Sequence, residues 1–293
     1  GSGSVAPAAA AGDSPVQHAE VVDRLGRDWL LDTARFDDPD WTQATLWQLV
    51  DISPIRAAQR EREQTLSFLS HDLRAPQASI MAIIEQMQGD STQPLPDWAK
   101  RIHEQADRSI QLADGFVQLA RAEVKSLDRR PVDLATLAAE AADGAWPVAR
   151  KRGVAIDVID GDERLVIGDA QLLRRAIENL LDNAIKFSPE GARVTIALSG
   201  FTDPLGRSWQ RIAVEDEGIG LSEAVIDKVF EPYYRAENGA QRPGAGLGLT
   251  FVKMVAERHE GMVRAQRRSP HGTTFELSLP RPTPGEIEAA DRP

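Results

Sequence analysis

A histidine followed by an aspartate, His71-Asp72, lies within a predicted long helix. Apolar residues recur around the pair at alternating spacings of three and four residues, which is typical of the seam of a helix that pairs with other helices. The seam positions are Leu66, Leu69, Leu73, Pro76, Ile80, Ile83 and Met87. In this register His71 falls on the face opposite to the seam, where packing alone would not place it. The pair indicates either a phospho-accepting histidine or an ordinary surface histidine on a dimerisation helix.

A second polar group lies on a predicted helix about a hundred residues downstream. Asn179 and Asn183 are four residues apart and Lys186 follows three residues later, so all three share one helix face. Amide oxygens suit a hard cation such as Mg²⁺, and an ammonium group suits a phosphate. The face therefore fits a magnesium–phosphate group, although an ordinary solvated helix face explains it as well.

Three loop segments add further candidates. Asp216, Gly218 and Gly220 directly follow a predicted strand, and an aspartate there could accept a hydrogen bond from an exocyclic amine such as that of adenine. The glycines would let a ligand approach the backbone closely, or would simply form a turn.

The other two segments are aromatic and glycine-rich. The aromatics of Val229–Arg235 could lie beside a base, although Phe230 is better explained by core packing. The glycines of Gly244–Leu249 open a predicted helix, and backbone N–H groups at a helix N-terminus form an anion site. Residues 238–243 before them could form a lid.

Composition narrows the classes of function. The 293 residues carry 34 basic and 45 acidic side chains, a formal net charge of −11, which argues against general nucleic-acid binding. The chain has no cysteine, which excludes disulfides, thiolate nucleophiles and zinc–thiolate sites and fits a reducing compartment. No apolar stretch is long enough to span a membrane. We expect a cytoplasmic protein or the cytosolic part of a membrane-anchored sensor.

The elements that must position these residues fall into five segments. Residues 1–15 resemble a cloning scar with a linker, and residues 16–53 a short β segment with strands at 21–31 and 42–52. Residues 54–128 form a predicted helical hairpin, 129–281 an α/β sandwich and 282–293 a flexible tail. The end of the β segment, Leu49–Ser53, resembles the exit of a PAS sensor domain, and a strand pair of no special function explains it equally.

The predicted fold class is α+β and multidomain. A lone helical hairpin buries too little apolar surface, so two hairpins should pair into a four-helix bundle, which makes the chain a homodimer. The alternation of helices and strands after Val132 predicts a sheet covered by helices.

Taken together, these motifs resemble those of the sensor histidine kinases of two-component signalling. Over residues 54–281, Phe68–Pro76 is similar to that family's H box, Asn179–Phe187 to the N box and Asp216–Gly220 to the G1 box. Phe230–Arg235 is similar to the F box and Gly244–Leu249 to the G2 box. The resemblance implies a dimerisation and phosphotransfer hairpin followed by a Bergerat-type ATP-binding domain.

The resemblance also implies roles for individual residues. His71 would attack the γ-phosphate of ATP through Nε2 while Asp72 holds its Nδ1–H, and the phosphoryl group would pass to an aspartate of a separate response regulator. Asn183 would bind Mg²⁺, and Asp216 would bind the adenine amine. The remaining implied ATP-binding residues are Asn179, Lys186, Gly218, Gly220, Tyr234, Arg235, Gly244, Gly246, Leu247 and Gly248.

One position departs from the family pattern. Four residues after the histidine the family usually carries Thr or Asn, which helps to place a water for dephosphorylating the partner, whereas this chain has Ala75. Alanine has no donor or acceptor, so we expect weak phosphatase activity. His103, His259 and His271 lack comparable surroundings and are predicted to be structural or surface residues.

Three alternatives remain open at this stage. The first is an ATPase or ATP-driven clamp that forms no phosphohistidine, and the second is a catalytically silent scaffold that binds nucleotide. The third, a coiled-coil adaptor, does not explain the α/β domain.

Overall fold

The structure is a computed structural model that describes residues 17–38, 41–89, 96–159, 165–234 and 246–290. The chain divides into two compact units, residues 1–65 and residues 66–293. Within the described ranges, no helix combines the length and apolar character needed to cross a membrane.

The first unit contains an antiparallel sheet of three strands, β1 (Gln17–Val22), β2 (Asp28–Asp38) and β3 (Trp41–Asp51), in the order β1-β2-β3. The strand predicted over 21–31 is therefore wrong, because a turn interrupts it. The Asp23 carboxylate accepts hydrogen bonds from Leu25 N at 2.8 Å and Arg27 N at 2.9 Å, and Gly26 has φ +77°. An aspartate that bonds to the backbone ahead of it competes with strand pairing and favours a turn.

Two long helices follow. Helix α1 (Ser53–Gly89) continues through Pro76. Helix α2 (Asp97–Val124) ends four residues before the predicted end of the hairpin at residue 128, because Lys125 has an extended backbone. The C-terminal half of α1 lies antiparallel to α2, since Arg74 pairs with Asp114 and Glu85 lies 3.8 Å from His103.

The rest of the second unit is an α/β sandwich. Five strands form a sheet in the order β5-β7-β8-β10-β9, in which only β5 and β7 are parallel. The strands are β5 (Ala155–Ile159), β7 (Arg193–Thr202), β8 (Ser208–Glu215), β9 (Met262–Arg267) and β10 (Thr273–Pro280). The helices packed with it are α3 (Leu134–Lys151), α4 (Ala170–Phe187) and α6 (Gly248–Arg258).

Helix α4 forms the centre of the core. Its apolar residues recur at helical spacing, so one face is buried, including Leu173, Ile177, Leu180 and Leu181. The face of the sheet that packs against the helices contributes alternate strand residues such as Val194, Ile196 and Ile212, all fully buried. This packing fixes the position of the polar face of α4 relative to the loops at the sheet edge.

Four short elements differ from the predictions. β4 (Arg130–Asp133) and β6 (Leu165–Gly168) form a separate antiparallel pair, and neither was predicted. The sequence predicts a helix over residues 222–230, whereas α5 covers only Glu223–Ile226. The tail predicted to be flexible contains a helix, α7 (Pro284–Ala290), because Thr283 and Glu286 form a capping pair at its start.

Candidate functional site

The best-defined polar group of the predicted site is the Asp216 carboxylate, at the end of β8. It is 2% exposed, and its Oδ1 accepts hydrogen bonds from Gly218 N at 2.8 Å and Thr273 N at 3.1 Å. Burial raises the pKa of Asp216, although the hydrogen bonds from Gly218 and Thr273 oppose the rise. The carboxylate is therefore held rigidly in a partly desolvated position, which suits selective recognition of a hydrogen-bond donor.

Glycines surround this carboxylate because the space admits no side chain. A Cβ at Gly218 would lie 2.7 Å from Phe187 O and 2.8 Å from Asp216 Oδ1. Gly220 has φ +72° and faces Gly272, and Gly272 itself has φ +107° with Asp216 O only 2.0 Å from where its Cβ would be. Close approach requires glycine at Gly218, and at Gly220 and Gly272 the positive φ also favours glycine.

The polar face of α4 meets the glycine-rich start of α6. A Cβ at Gly248 would lie 3.1 Å from Asn179 Oδ1, so the two predicted sites are adjacent. Asn183 and Lys186 are half-buried one and two turns further along α4, and the Lys186 ammonium lies 5.1 Å from the Phe187 ring centroid. Phe187 O in turn contacts Gly218, which joins α4 to the Asp216 loop.

The aromatic segment also reaches the glycine-rich segment. Tyr233, with φ +62°, donates from its backbone N to Gly246 O at 3.1 Å, and a Cβ at Gly246 would lie 3.1 Å from Tyr233 C. Tyr234 is half-buried beside them, whereas Phe230 is buried edge-on against Phe275 with ring centroids 6.3 Å apart. The prediction that Phe230 packs in the core is confirmed.

The structure thus brings together Asn179, Asp216, Gly218, Gly220, Tyr234, Gly246, Leu247 and Gly248, with Asn183 and Lys186 along the same helix. Arg235, Gly244 and the predicted lid lie outside the described residues. His71 and Asp72 lie in α1, and their side chains are outside the described part of the chain.

Two residues that position Asp216 were missed from the sequence. Gly272 precedes β10, and Thr273 is the first residue of that strand. The Thr273 amide donates to the Asp216 carboxylate from β10, which lies next to β8. A glycine immediately before a predicted strand was the available signal, but strand pairing alone reveals that β10 lies beside β8.

The three histidines predicted to be structural or surface residues have no place in this group. His259 is buried, accepts a hydrogen bond from Asp169 N at Nε2 (3.0 Å), and therefore donates from Nδ1 to Val255 O at 2.7 Å. Burial lowers the pKa of His259, which favours this neutral form. His103 is half-buried and His271 is exposed. The predicted structural role is confirmed for His259.

Comparisons with known proteins agree with this arrangement. Residues 168–283 match the family described as histidine kinase-, DNA gyrase B-, and HSP90-like ATPase. The signal transduction histidine-protein kinase/phosphatase MprB of Mycobacterium sp. (strain KMS) is 34% identical over 251 residues, covering 79% of this chain and 47% of MprB. The sensor-like histidine kinase SenX3 of Mycobacterium bovis is 29% identical over 238 residues, covering 78% of this chain and 56% of SenX3.

Solved structures share the fold. Histidine kinase ThkA, in complex with response regulator protein TrrA, matches with a TM-score of 0.56 at 18% identity, covering 92% of this chain and 79% of ThkA. Full-length ShkA, in complex with AMPPNP, matches with a TM-score of 0.55 at 24% identity, covering 75% of this chain and 46% of ShkA. The chain spans about half the length of the curated relatives it matches. From the ATPase-family domain and these relatives, we conclude that the chain belongs to the sensor histidine kinase family.

Proposed function

We propose that this chain is the kinase core of a two-component sensor, which transfers the γ-phosphoryl group of ATP to His71 and then to an aspartate of a response regulator. The observation that carries the proposal is the buried Asp216 carboxylate, held by two backbone amides beside Gly218. It lies in an ATPase-family domain of a chain whose helix α1 carries His71-Asp72.

Adenine is the ligand that we assign to Asp216. The carboxylate accepts a hydrogen bond from the exocyclic amine, and Gly218 and Gly220 allow the base to approach the backbone. Gly246 and Gly248 at the start of α6 face the phosphates with backbone N–H groups. The similar ShkA structure contains AMPPNP, an analogue of ATP, which supports a nucleotide as the ligand of this chain.

The residues present also fit a magnesium ion that accompanies the nucleotide. Magnesium in phosphate sites is bound by one or two protein oxygens together with phosphate oxygens and water. Asn183 offers an amide oxygen on the half-buried face of α4 that also carries Asn179 and Lys186. The ion would neutralise charge on the phosphates, and the Lys186 ammonium would contribute to the same neutralisation.

Transfer to His71 is the chemical step. His71 Nε2 attacks the γ-phosphorus, the bond from that phosphorus to the bridging oxygen of the β-phosphate breaks, and ADP leaves. Asp72 holds the Nδ1–H of the imidazole, which keeps Nε2 unprotonated and nucleophilic. Most of the rate enhancement comes from positioning, because the ATPase-family domain must bring the γ-phosphate in line with the imidazole.

The phosphoryl acceptor is a separate receiver protein. The ThkA structure contains the response regulator TrrA, which supports a partner of this class. Weak phosphatase activity toward that partner remains part of the proposal, since Ala75 cannot orient a water molecule.

A homodimer completes the proposed core. Large apolar side chains on the two long helices remain exposed within one chain, namely Ile83, Met87, Trp98, Ile102 and Phe116, at 41 to 60% exposure. Pairing of two hairpins would bury these side chains, which is the arrangement expected for a four-helix bundle.

The test is incubation with γ-labelled ATP and Mg²⁺, comparing the protein with His71→Gln and with His103→Gln as the matched control. We expect acid-labile, base-stable label that is lost only in His71→Gln. Turnover of ATP without bound label would favour an ATP-driven clamp. Nucleotide binding without turnover would favour a silent scaffold, and label that survives in His71→Gln would place the phosphate elsewhere.

A further inference from the structure

One face of α2 contacts the ATPase-family domain. Gly115, Gln118, Ala122 and Lys125 are spaced three, four and three residues apart, so they form one stripe along the helix. All four contact the domain. Gly115 lies against Leu247, and Gln118 Oε1 accepts a hydrogen bond from Arg175 Nη2 at 2.6 Å. Ala122 belongs to the domain's hydrophobic core, and Lys125 pairs with Asp169. We call these four residues the docking stripe.

Helix α6 contacts the docking stripe at both of its ends. At its N-terminal end, Leu247 is 3% exposed and lies so close to Gly115 that a Cβ there would be 3.1 Å from Leu247 Cδ1. At its C-terminal end, Arg258 reaches the end of α2. The helix that begins with the glycine-rich segment is therefore fixed against α2 at two points about ten residues apart on each helix.

Arg258 contacts backbone that a helix leaves unpaired. Its guanidinium donates from Nη1 to Ala122 O and from Nη2 to Lys125 O. The last carbonyls of a helix have no partner within the helix and carry partial negative charge, so a guanidinium there satisfies them and is stabilised by the helix dipole. The fork geometry of arginine suits two acceptors at once, which lysine would not match.

Further ion pairs join the end of α2 to the ATPase-family domain. Lys125 Nζ lies 3.0 Å from Asp169 Oδ2, and Asp169 is buried while it caps the N-terminus of α4. Arg129, just beyond α2, donates to Arg258 O at 3.3 Å and pairs with Glu260 at 2.9 Å. At this end of α2, ion pairs therefore accompany the packing of Ala122 in the hydrophobic core.

We propose that Arg258 is a releasable latch that holds the ATPase-family domain on the docking stripe in a resting state. The inference rests on the proposed function. One histidine must receive the phosphoryl group from this domain and then present it to a receiver, so the domain has to leave any fixed position on the hairpin. Ligand contacts at Gly246 and Gly248 would act on Leu247, at the other end of the same helix, and so couple nucleotide occupancy to release.

The experiment measures the movement of the domain directly. Because the chain has no cysteine, Arg108→Cys on α2 and Lys151→Cys on α3, both exposed, take spin labels without background. Distances are compared for the parent, Arg258→Ala and Gly115→Val, with Arg264→Ala, an exposed arginine on β9, as the control. Gly115→Val opens the other contact from α2 and leaves the ATPase-family domain unaltered, and valine is a better helix former than glycine.

We expect a broadened distance distribution in Arg258→Ala and Gly115→Val but not in Arg264→Ala. Loss of hydrogen bonds to a charged group should speed amide exchange over residues 121–127 by about tenfold. The initial rate of His71 phosphorylation should rise severalfold in both variants, and their affinity for AMPPNP should rise as well, because a coupling between nucleotide binding and release of the domain is reciprocal.

Unchanged distances in both variants would contradict the proposal that Arg258 holds the ATPase-family domain on the docking stripe. Greater mobility with slower phosphorylation would overturn its assignment to a resting state, because the docked arrangement would then be the productive one. If the parent forms no phosphohistidine at all, the proposed function fails, yet the distance and exchange measurements still decide whether Arg258 holds the domain.

Discussion

At the scale of single residues, Asp216 shows how burial and hydrogen bonding select one chemical role. Two backbone amides occupy Oδ1, and burial raises the pKa of the carboxyl. A partly desolvated acceptor of fixed direction distinguishes a ligand that offers a donor from one that does not, because an unpaired buried group is costly.

Asp216→Asn tests this role. The amide oxygen can still accept from Gly218 N and Thr273 N, but the remaining group becomes a donor and opposes the adenine amine. We expect affinity for ATP to fall by about 10- to 100-fold, measured by calorimetric titration. Asp143→Asn, an exposed residue of α3, is the control. Unchanged affinity would show that Asp216 does not contribute to ATP binding.

The same substitution should have a pH-dependent effect on stability. Since the pKa of Asp216 is higher in the folded state than in the unfolded chain, the ionised carboxylate destabilises the fold once pH rises above the folded pKa. Asp216→Asn should therefore raise Tm at neutral pH, and the difference should shrink as pH falls toward the unfolded pKa. Thermal melts between pH 3 and pH 8 test this, and a difference that grows on acidification would contradict it.

Ala75 is the residue that should limit dephosphorylation of the partner. It is exposed on α1, one turn after His71, so a polar side chain there would meet solvent near the histidine. We expect Ala75→Thr to increase the rate of receiver dephosphorylation severalfold, measured in a His71→Gln background to prevent reverse transfer. Ala82→Thr, at an exposed position of α1 further from His71, should have no effect. Equal rates of dephosphorylation in all three proteins would show that Ala75 does not limit this reaction.

At the scale of elements, one hairpin turn occurs twice. Asp23–Trp29 and Asp203–Trp209 share the pattern Asp-x-Leu-Gly-Arg-x-Trp. In both, the aspartate accepts from the two backbone amides, the arginine Nε and the tryptophan Nε1, and the arginine lies over the tryptophan ring. The recurrence in separate units shows that local hydrogen bonds determine this turn.

These turns should lose stability in acid. Burial of Asp203 opposes ionisation, but hydrogen bonds from Arg207 and Trp209 hold its pKa at about 2. Such a group stabilises the fold above its unfolded pKa, and this stabilisation is lost as pH falls through the folded pKa. Asp203→Asn should therefore lower Tm at pH 7 and show a smaller difference at pH 2 to 3, with Asp227→Asn as the exposed control. A difference independent of pH would contradict this origin.

At the scale of the whole molecule, the exposed apolar residues of α1 and α2 support the proposed homodimer. Ile83 is 60% exposed on the seam that the sequence predicts, and Gln86 is an exposed polar neighbour. Ile83→Glu would bury an unpaired carboxylate in the proposed dimer and should weaken it about 100-fold or more. Sedimentation over a range of concentrations measures this, with Gln86→Glu as the control. A parent protein that remains monomeric at all concentrations would contradict the proposed homodimer.

The sequence by itself determined the motifs and the residue types of the proposed nucleotide site, because both are local. Helical spacing places Asn179, Asn183 and Lys186 on one face, and glycine is the residue that most readily adopts the positive φ found at Gly220 and Gly246. It also predicted a sheet covered by helices in the α/β domain, because helices and strands that bury one face leave a periodic pattern of apolar residues.

The tertiary structure alone decided which distant residues meet. The amide of Thr273 reaches Asp216 because β10 pairs with β8, and Arg258 reaches the end of α2 from another part of the chain. The pair β4–β6 and the helix α7 also escaped prediction, since four-residue strands and a seven-residue helix carry little periodicity. Contacts between residues far apart in sequence depend on strand order and packing, which no local pattern records.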